Sequence, residues 1–143
     1  MIYLNKFEYE PPEHEAEKAS NSYLVSLVVI IGGLPLPIIN LLATFIFFMG
    51  NRKGGYFVRW HCAQALLSQL MLFVINCCLM WWTFSIFLGS STISNKFIAY
   101  FITVLIFNIA ELIATIYTAI KIRKGIHVEW WFFGSLTNSI CRR

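Results

Sequence analysis

Glu111 is the residue whose type and place first call for a chemical explanation. It is a carboxylate inside the apolar run Phe97 to Ile120, and the only formally charged residue within any predicted span. In hydrocarbon a carboxylate is costly unless it is paired, hydrated or protonated, so it marks either a structural hydrogen-bond centre or a proton, ion or polypeptide pathway. At about 100° per residue, Tyr100, Asn108, Glu111, Thr115 and Thr118 share one helical face. In the preceding apolar run His61, Gln64, Ser68, Gln69 and Asn76 do the same. Antiparallel neighbours would bring residues 68–76 to the depth of Glu111. That predicts a cluster of Glu111, Asn108, Gln69 and Asn76. Structural glue, within the chain or toward a partner, is preferred to a proton, ion or polypeptide-pathway group.

Arg59, His61 and Gln64 form a second constellation, about one turn apart where a basic loop becomes a span. Either the three make a specific contact at the cytoplasmic face, or Arg59 simply reaches the headgroups. His61 and Glu111 differ too much in depth to share a metal. The chain has no nucleophile with a base and an orienting partner, no phosphate-cradling glycine loop and no paired carboxylates. No enzyme is predicted, with no catalytic, cofactor-binding or metal residue and no cofactor. Cys62, Cys77, Cys78 and Cys141 fit neither metal spacing nor a disulfide framework and read as plain thiols.

The elements that must hold these residues are set by composition. Of 143 residues 58% are hydrophobic and 13% charged, against about 25% charged in soluble domains. That much apolar surface has no room in one water-soluble core, so the expected solvent is lipid. A net charge of +4 would suit nucleic acid, but the basic residues flank apolar segments, as topology signals do. An all-α polytopic membrane protein follows, with four membrane-embedded helices at about 22–33, 36–49, 62–88 and 97–121. The membrane domain is read as 22–125.

Residues 1–21 read as an acidic flexible arm without a signal peptide. In the next apolar stretch, Gly32, Gly33, Pro35 and Pro37 break the helix. A straight helix over 22–49 would be about 42 Å long, beyond a core of about 30 Å. A short hairpin entering and leaving on one face is preferred to a single kinked helix. Trp60 lies about 22 residues, or about 33 Å, from Trp81 and Trp82, which matches two aromatic belts. Trp130 and Trp131 are read as further interfacial anchors in residues 126–143, an amphipathic helix with a basic tail. The loop at 50–61 and the tail from 121 hold eight Lys or Arg, against Lys96 alone in the opposite loop. This bias predicts a multi-pass protein of the cytoplasmic (inner) membrane, with a cytoplasmic C-terminus and, in the hairpin reading, a cytoplasmic N-terminus.

The run Pro35-Leu36-Pro37-Ile38-Ile39-Asn40-Leu41-Leu42-Ala43, followed by Tyr56-Phe57-Val58-Arg59-Trp60-His61-Cys62-Ala63-Gln64-Ala65-Leu66, resembles a known family. It is similar to the small bacterial membrane proteins of unknown function grouped with the twenty-kilodalton subunit of the chloroplast inner-envelope protein importer, the TIC complex. Phe57, His61, Gln64, Ala65 and Leu66 match the start of that family's long span, and Lys121 to Gly125 its terminal basic turn. The resemblance covers about residues 20 to 125; the acidic arm, the Trp/Phe-rich tail and Glu111 depart from it. It implies, by analogy, a non-enzymatic accessory subunit of a larger membrane complex for protein translocation or membrane-protein insertion. The alternative is a small homo-oligomeric channel or transporter using Glu111 and the broken hairpin. A lipid-facing protein sensing the bilayer through its aromatic tail is a third reading. The expected partners are the lipid bilayer and other membrane subunits of translocon or insertase type, or a second copy, with no nucleic acid and no small-molecule substrate.

Overall fold

The structure is a computed structural model and describes residues 2–5, 7, 9–31, 37–89 and 92–141. In chain order these form β1 (Ile2–Asn5), α1 (Glu13–Ile31), α2 (Pro37–Gly50), α3 (Tyr56–Phe87), α4 (Asn95–Arg123), β2 (His127–Trp130) and α5 (Trp131–Ile140). The protein is mostly helical. Two of its helices, α3 and α4, are long and apolar enough to cross a membrane, so the expectation of four membrane-embedded helices reduces to these two. α2 is apolar but spans only 14 residues, about 21 Å of helix.

The long helices end where local chemistry stops them. Ser94 caps α4, its hydroxyl accepting from the Phe97 amide at 3.3 Å. Gly89 after α3 and Gly125 after α4 take φ of +72° and +75°, a left-handed turn open to glycine at little cost. The Gly125 amide then donates to Ile122 O at 2.8 Å. α1 begins directly after Pro11-Pro12, with Glu15 N and Ala16 N both donating to Pro12 O. α1 and α2 are separate helices packed on each other and on α3. Of the residues read as the helix break, Gly32, Gly33 and Pro35 lie outside the described residues, and Pro37 is the first residue of α2.

The described residues of the arm at 1–21 are built into the fold. β1 pairs antiparallel with β2, Ile2 opposite Trp130 and Asn5 opposite His127. Tyr9 explains part of this order. Its hydroxyl accepts from the Phe57 amide at 3.2 Å, in the first turn of α3, and donates to Glu15 Oε2 at 2.8 Å. The first amides of a helix have no partner within it, and here the arm supplies one and sets a carboxylate beside that N-terminus. The tail read as one helix from 126 is instead a strand and then a helix, because β2 takes backbone partners from β1 before α5 begins.

Gly55 is the position where that carboxylate comes closest: a Cβ there would overlap the Glu15 carboxylate. Gly55→Ala is expected to lower stability by about 1–2 kcal/mol, by displacing Glu15 from Tyr9 and the α3 terminus. A double-mutant cycle with Glu15→Ala checks it. The two losses should not add, and full additivity would remove this contact as the cause.

The core sits at the start of α3. Ala19 and Tyr23 of α1, Phe57 and Ala65 of α3, Ala119 and Ile122 of α4, and Val128 and Trp130 of β2 form one buried cluster. Farther along, α3 and α4 expose rows of large apolar side chains, Val74, Met80, Phe84 and Phe87 on one and Ile98, Ile102, Ile106 and Ile113 on the other. Apolar surface on this scale needs an apolar surrounding.

Candidate functional site

Tyr23, His61, Gln64 and His127 form a continuous hydrogen-bonded network in the core. Gln64 Nε2 donates to the Tyr23 hydroxyl at 2.8 Å and to Val128 O at 3.2 Å, and Gln64 Oε1 accepts from the Trp130 amide at 3.1 Å. Tyr23 Oη lies 3.2 Å from His61 Nδ1, and His61 Nε2 lies 3.1 Å from His127 Nδ1. One assignment runs without conflict: Tyr23 O–H donates to His61 Nδ1, and His61 Nε2–H donates to His127 Nδ1. Four side chains thereby tie α1, α3 and β2 together. Around them, Phe57, Trp60 and Phe7 set their rings against the two histidines. Trp130 Nε1 donates to Thr118 Oγ1 at 2.8 Å, adding α4.

Burial sets the protonation of His127. It is 7% exposed, and desolvation pulls its pKa from 6.5 down to about 4. It therefore stands neutral at pH 7, as an acceptor to His61 requires. In chemical terms the network is a neutral relay of hydrogen bonds enclosed in aromatic rings. Sequence reasoning found His61 and Gln64 but missed Tyr23 and His127, and it placed Thr118 on the face of Glu111 without its partner Trp130. The signal available for His127 was a histidine two residues after the turn glycine, in a tail otherwise read only for its aromatic stripe.

The second polar cluster lies between α3 and α4. Gln69 Nε2 donates to Glu111 Oε1 at 2.7 Å, and Thr115 Oγ1 donates to the same oxygen at 3.0 Å. Asn76 and Asn108 exchange amide hydrogen bonds at 3.2 and 3.0 Å. The structure thus brings the four side chains together as two pairs, Gln69 with Glu111 and Asn76 with Asn108. Tyr100 donates to Ile75 O at 3.1 Å nearby. In an apolar surrounding, such bonds fix the register of the two helices.

The remaining sequence candidates divide by environment. Trp60, read as a lipid anchor, is 1% exposed and donates from Nε1 to Asn138 Oδ1 at 2.6 Å. It is a core residue, because α5 folds back over the start of α3. Trp130 is likewise buried, whereas Trp81 and Trp131 are 81% and 66% exposed. Trp82 is half-buried against Phe97 and Tyr100. Arg59 is half-buried. Its guanidinium lies 5.9 Å from the Tyr56 ring centroid, and its Nε is buried without a hydrogen-bond partner. It stands apart from the His61–Gln64 network, so the three do not form one contact site. Among the described residues no group of three or more His, Cys, Asp or Glu is placed to hold a metal ion.

A family model described as the magnetosome magnetite crystal formation protein family matches residues 19–136. No curated protein and no solved structure matches the chain. The family match overturns the resemblance to the importer subunit of the TIC complex. The expected accessory role in protein translocation or insertion falls with it, since that role rested on the resemblance. Phe57, His61, Gln64 and Ala65, the residues on which that resemblance was drawn, are buried in the core here.

Proposed function

The chain belongs to the magnetosome magnetite crystal formation protein family, and from that membership we propose that it acts in magnetite crystal formation as a non-enzymatic protein of the magnetosome membrane. The observation that carries this reading is the extent of the match, which takes in the end of α1, α2, α3, α4, β2 and most of α5. Two apolar helices fit a membrane protein.

In this reading α3 and α4 cross the bilayer, and α1 and α2 dip into it from one face. Exposed Ile38, Leu42, Phe45, Ile46 and Met49 support lipid around α2. Outward apolar residues on α4 run from Ile98 to Ile120, about 33 Å, close to a hydrocarbon core of about 30 Å. α5 lies at the interface with Trp131 in the headgroup region. Arg52, Lys53, Arg59, Lys121, Arg123 and Lys124 gather at one end of the α3–α4 pair and Lys96 at the other. The basic end, with both termini, then faces the cytoplasm. The short turn around Thr92–Lys96 faces the enclosed crystal. Its partners are lipid and other proteins of the same membrane, or further copies of itself. The role assigned is that of a folded membrane scaffold.

The test is deletion of the gene in a magnetite-forming cell, followed by electron microscopy of the crystals. The expected result is altered crystal size or number, restored by the wild-type gene, with the tagged protein in the magnetosome membrane fraction. Unchanged crystals, or a tagged protein confined to other membranes, would overturn the proposal.

A further inference from the structure

Between α3, α4 and the start of α5 lies a cleft of about 570 Å³, within the ~300–1,000 Å³ typical of small-molecule sites. Its walls include Met71 of α3, Phe107 of α4, and Trp131 and Phe132 of α5, while Ser68 and Glu111 are its polar lining. Gln69 and Thr115 both donate to Oε1 of Glu111. Two donors on one oxygen fix the carboxyl group, and the Ser68 hydroxyl is a further hydrogen-bonding neighbour of it at the cleft wall. The result is one positioned hydrogen-bonding group in an otherwise apolar, aromatic cleft. Since α3 and α4 are the membrane-crossing helices of the proposed arrangement, the cleft opens toward lipid, beside the exposed Trp131 and Phe132.

We infer that this cleft binds a lipid-soluble amphiphile of the quinol class, a hydroxylated planar ring on an apolar tail. Three features select it. The aromatic walls offer faces and edges to a planar ring. Glu111, lining the cleft, suits a ligand that hydrogen-bonds a carboxyl group. A quinol hydroxyl donates to the carboxylate, and a quinone carbonyl accepts from the protonated acid. A phospholipid headgroup held beside Trp131 would not reach Glu111, which lies ten residues, or about 15 Å, along α4 from Lys121, where a charged headgroup would lose its water. A helix from a second copy is a poor occupant, because close helix approach requires small residues and Phe107, Trp131 and Phe132 stand in its way. The inference is one of binding and invokes no electron transfer.

The experiment uses the full chain in detergent, titrated with a decyl-tailed benzoquinone while tryptophan emission is followed, with the reduced quinol as competitor. Saturable quenching reversed by the quinol is expected. In Glu111→Gln the quinol should compete about tenfold less well, the loss of one charge-assisted hydrogen bond. Ala110→Phe fills the cleft without touching the Glu111 bonds, and should abolish the saturable component while helical circular dichroism is retained. If that variant does not fold, Ala114→Phe closes the cleft from a neighbouring turn. Quenching that only tracks the quinone loaded into micelles, equal in the filled variant, would overturn the inference. So would displacement by phospholipid with no effect of Glu111→Gln, which would assign the cleft to an acyl chain. A change of oligomeric state in Ala110→Phe, without quinone binding in the native chain, would assign it to a second copy.

Discussion

Replacing Gln64 by leucine should unfasten the C-terminal tail from the rest of the protein. The Gln64 side chain is fully buried and makes three hydrogen bonds, two to β2 backbone groups and one to Tyr23. Leucine removes all three and leaves the Trp130 amide, Val128 O and the Tyr23 hydroxyl without those partners in a dry core. An unsatisfied buried group costs about 1–3 kcal/mol, and the three together about 3–5 kcal/mol because some relaxation is shared. In a chain of this length that corresponds to a fall in Tm of roughly 10 °C. Gln64→Met separates volume from hydrogen bonding: it should be as damaging as leucine, since it fills the space and bonds nothing. Gln64→Glu keeps the acceptor for Trp130 and loses both donated bonds, and should fall between.

Two readouts would establish this: thermal unfolding in detergent, and trypsin cleavage around Arg123 and Lys124, at the turn before β2. The native chain should resist release of its tail and the leucine variant should lose it quickly. A Tm within about 2 °C of the native value with no release would mean that the network is not what holds β2.

The contrast between the two polar clusters explains how much of this protein could be read from its sequence. The Glu111 cluster was legible because its members repeat along two helices, and helical period plus antiparallel packing places Gln69 beside Glu111 and Asn76 beside Asn108. The limits of the long helices were legible only in part: α4 runs Asn95–Arg123 against an expected 97–121, whereas α3 begins at Tyr56, six residues before the expected start at 62. The network at the start of α3 was only half legible. His61 and Gln64 lie on a periodic face, but their partners come from elements separated by 38 residues or more. β2 is four residues long and is a strand only because β1 pairs with it from the other end of the chain. No local pattern announces such a pair, and a four-residue strand inside an aromatic tail looks like part of an amphipathic helix. Trp60 was misread on similar grounds. The belt spacing assumes both tryptophans face lipid, and the fold-back of α5 that buries Trp60 is long-range. The functional family lay further still from the residues, since Phe57, His61, Gln64 and Ala65, on which the importer resemblance drew, are buried core residues.

Acidification should loosen the same region, and here the sign follows from burial. His127 titrates at about 4 in the folded chain and at about 6.5 when unfolded. Between those values the unfolded chain binds more protons, so stability falls as pH falls. The contribution of His127 is whole above pH 6.5, declines from there to about pH 4, and changes no further below. A shift of this size corresponds to about 3 kcal/mol. His61 is the titratable group in ring and hydrogen-bond contact with His127, and Phe7, Phe57 and Trp60 are its other ring contacts. A proton on His127 has no carboxylate among these contacts to meet it. It also removes the acceptor that His61 uses, so β2 should loosen before α3 and α4 part. The measurement is thermal unfolding from pH 7.5 to 4, with Trp130 emission reporting the tail and far-ultraviolet circular dichroism the long helices. The native chain should show a Tm that declines with acid, the emission changing first. His127→Gln has a neutral side chain of hydrogen-bonding type and should start lower at pH 7.5 and lose at least half of the slope. An unchanged slope in that variant would place the acid sensitivity elsewhere, and a native Tm flat across the interval would show that the His61–His127 contact does not hold the fold together.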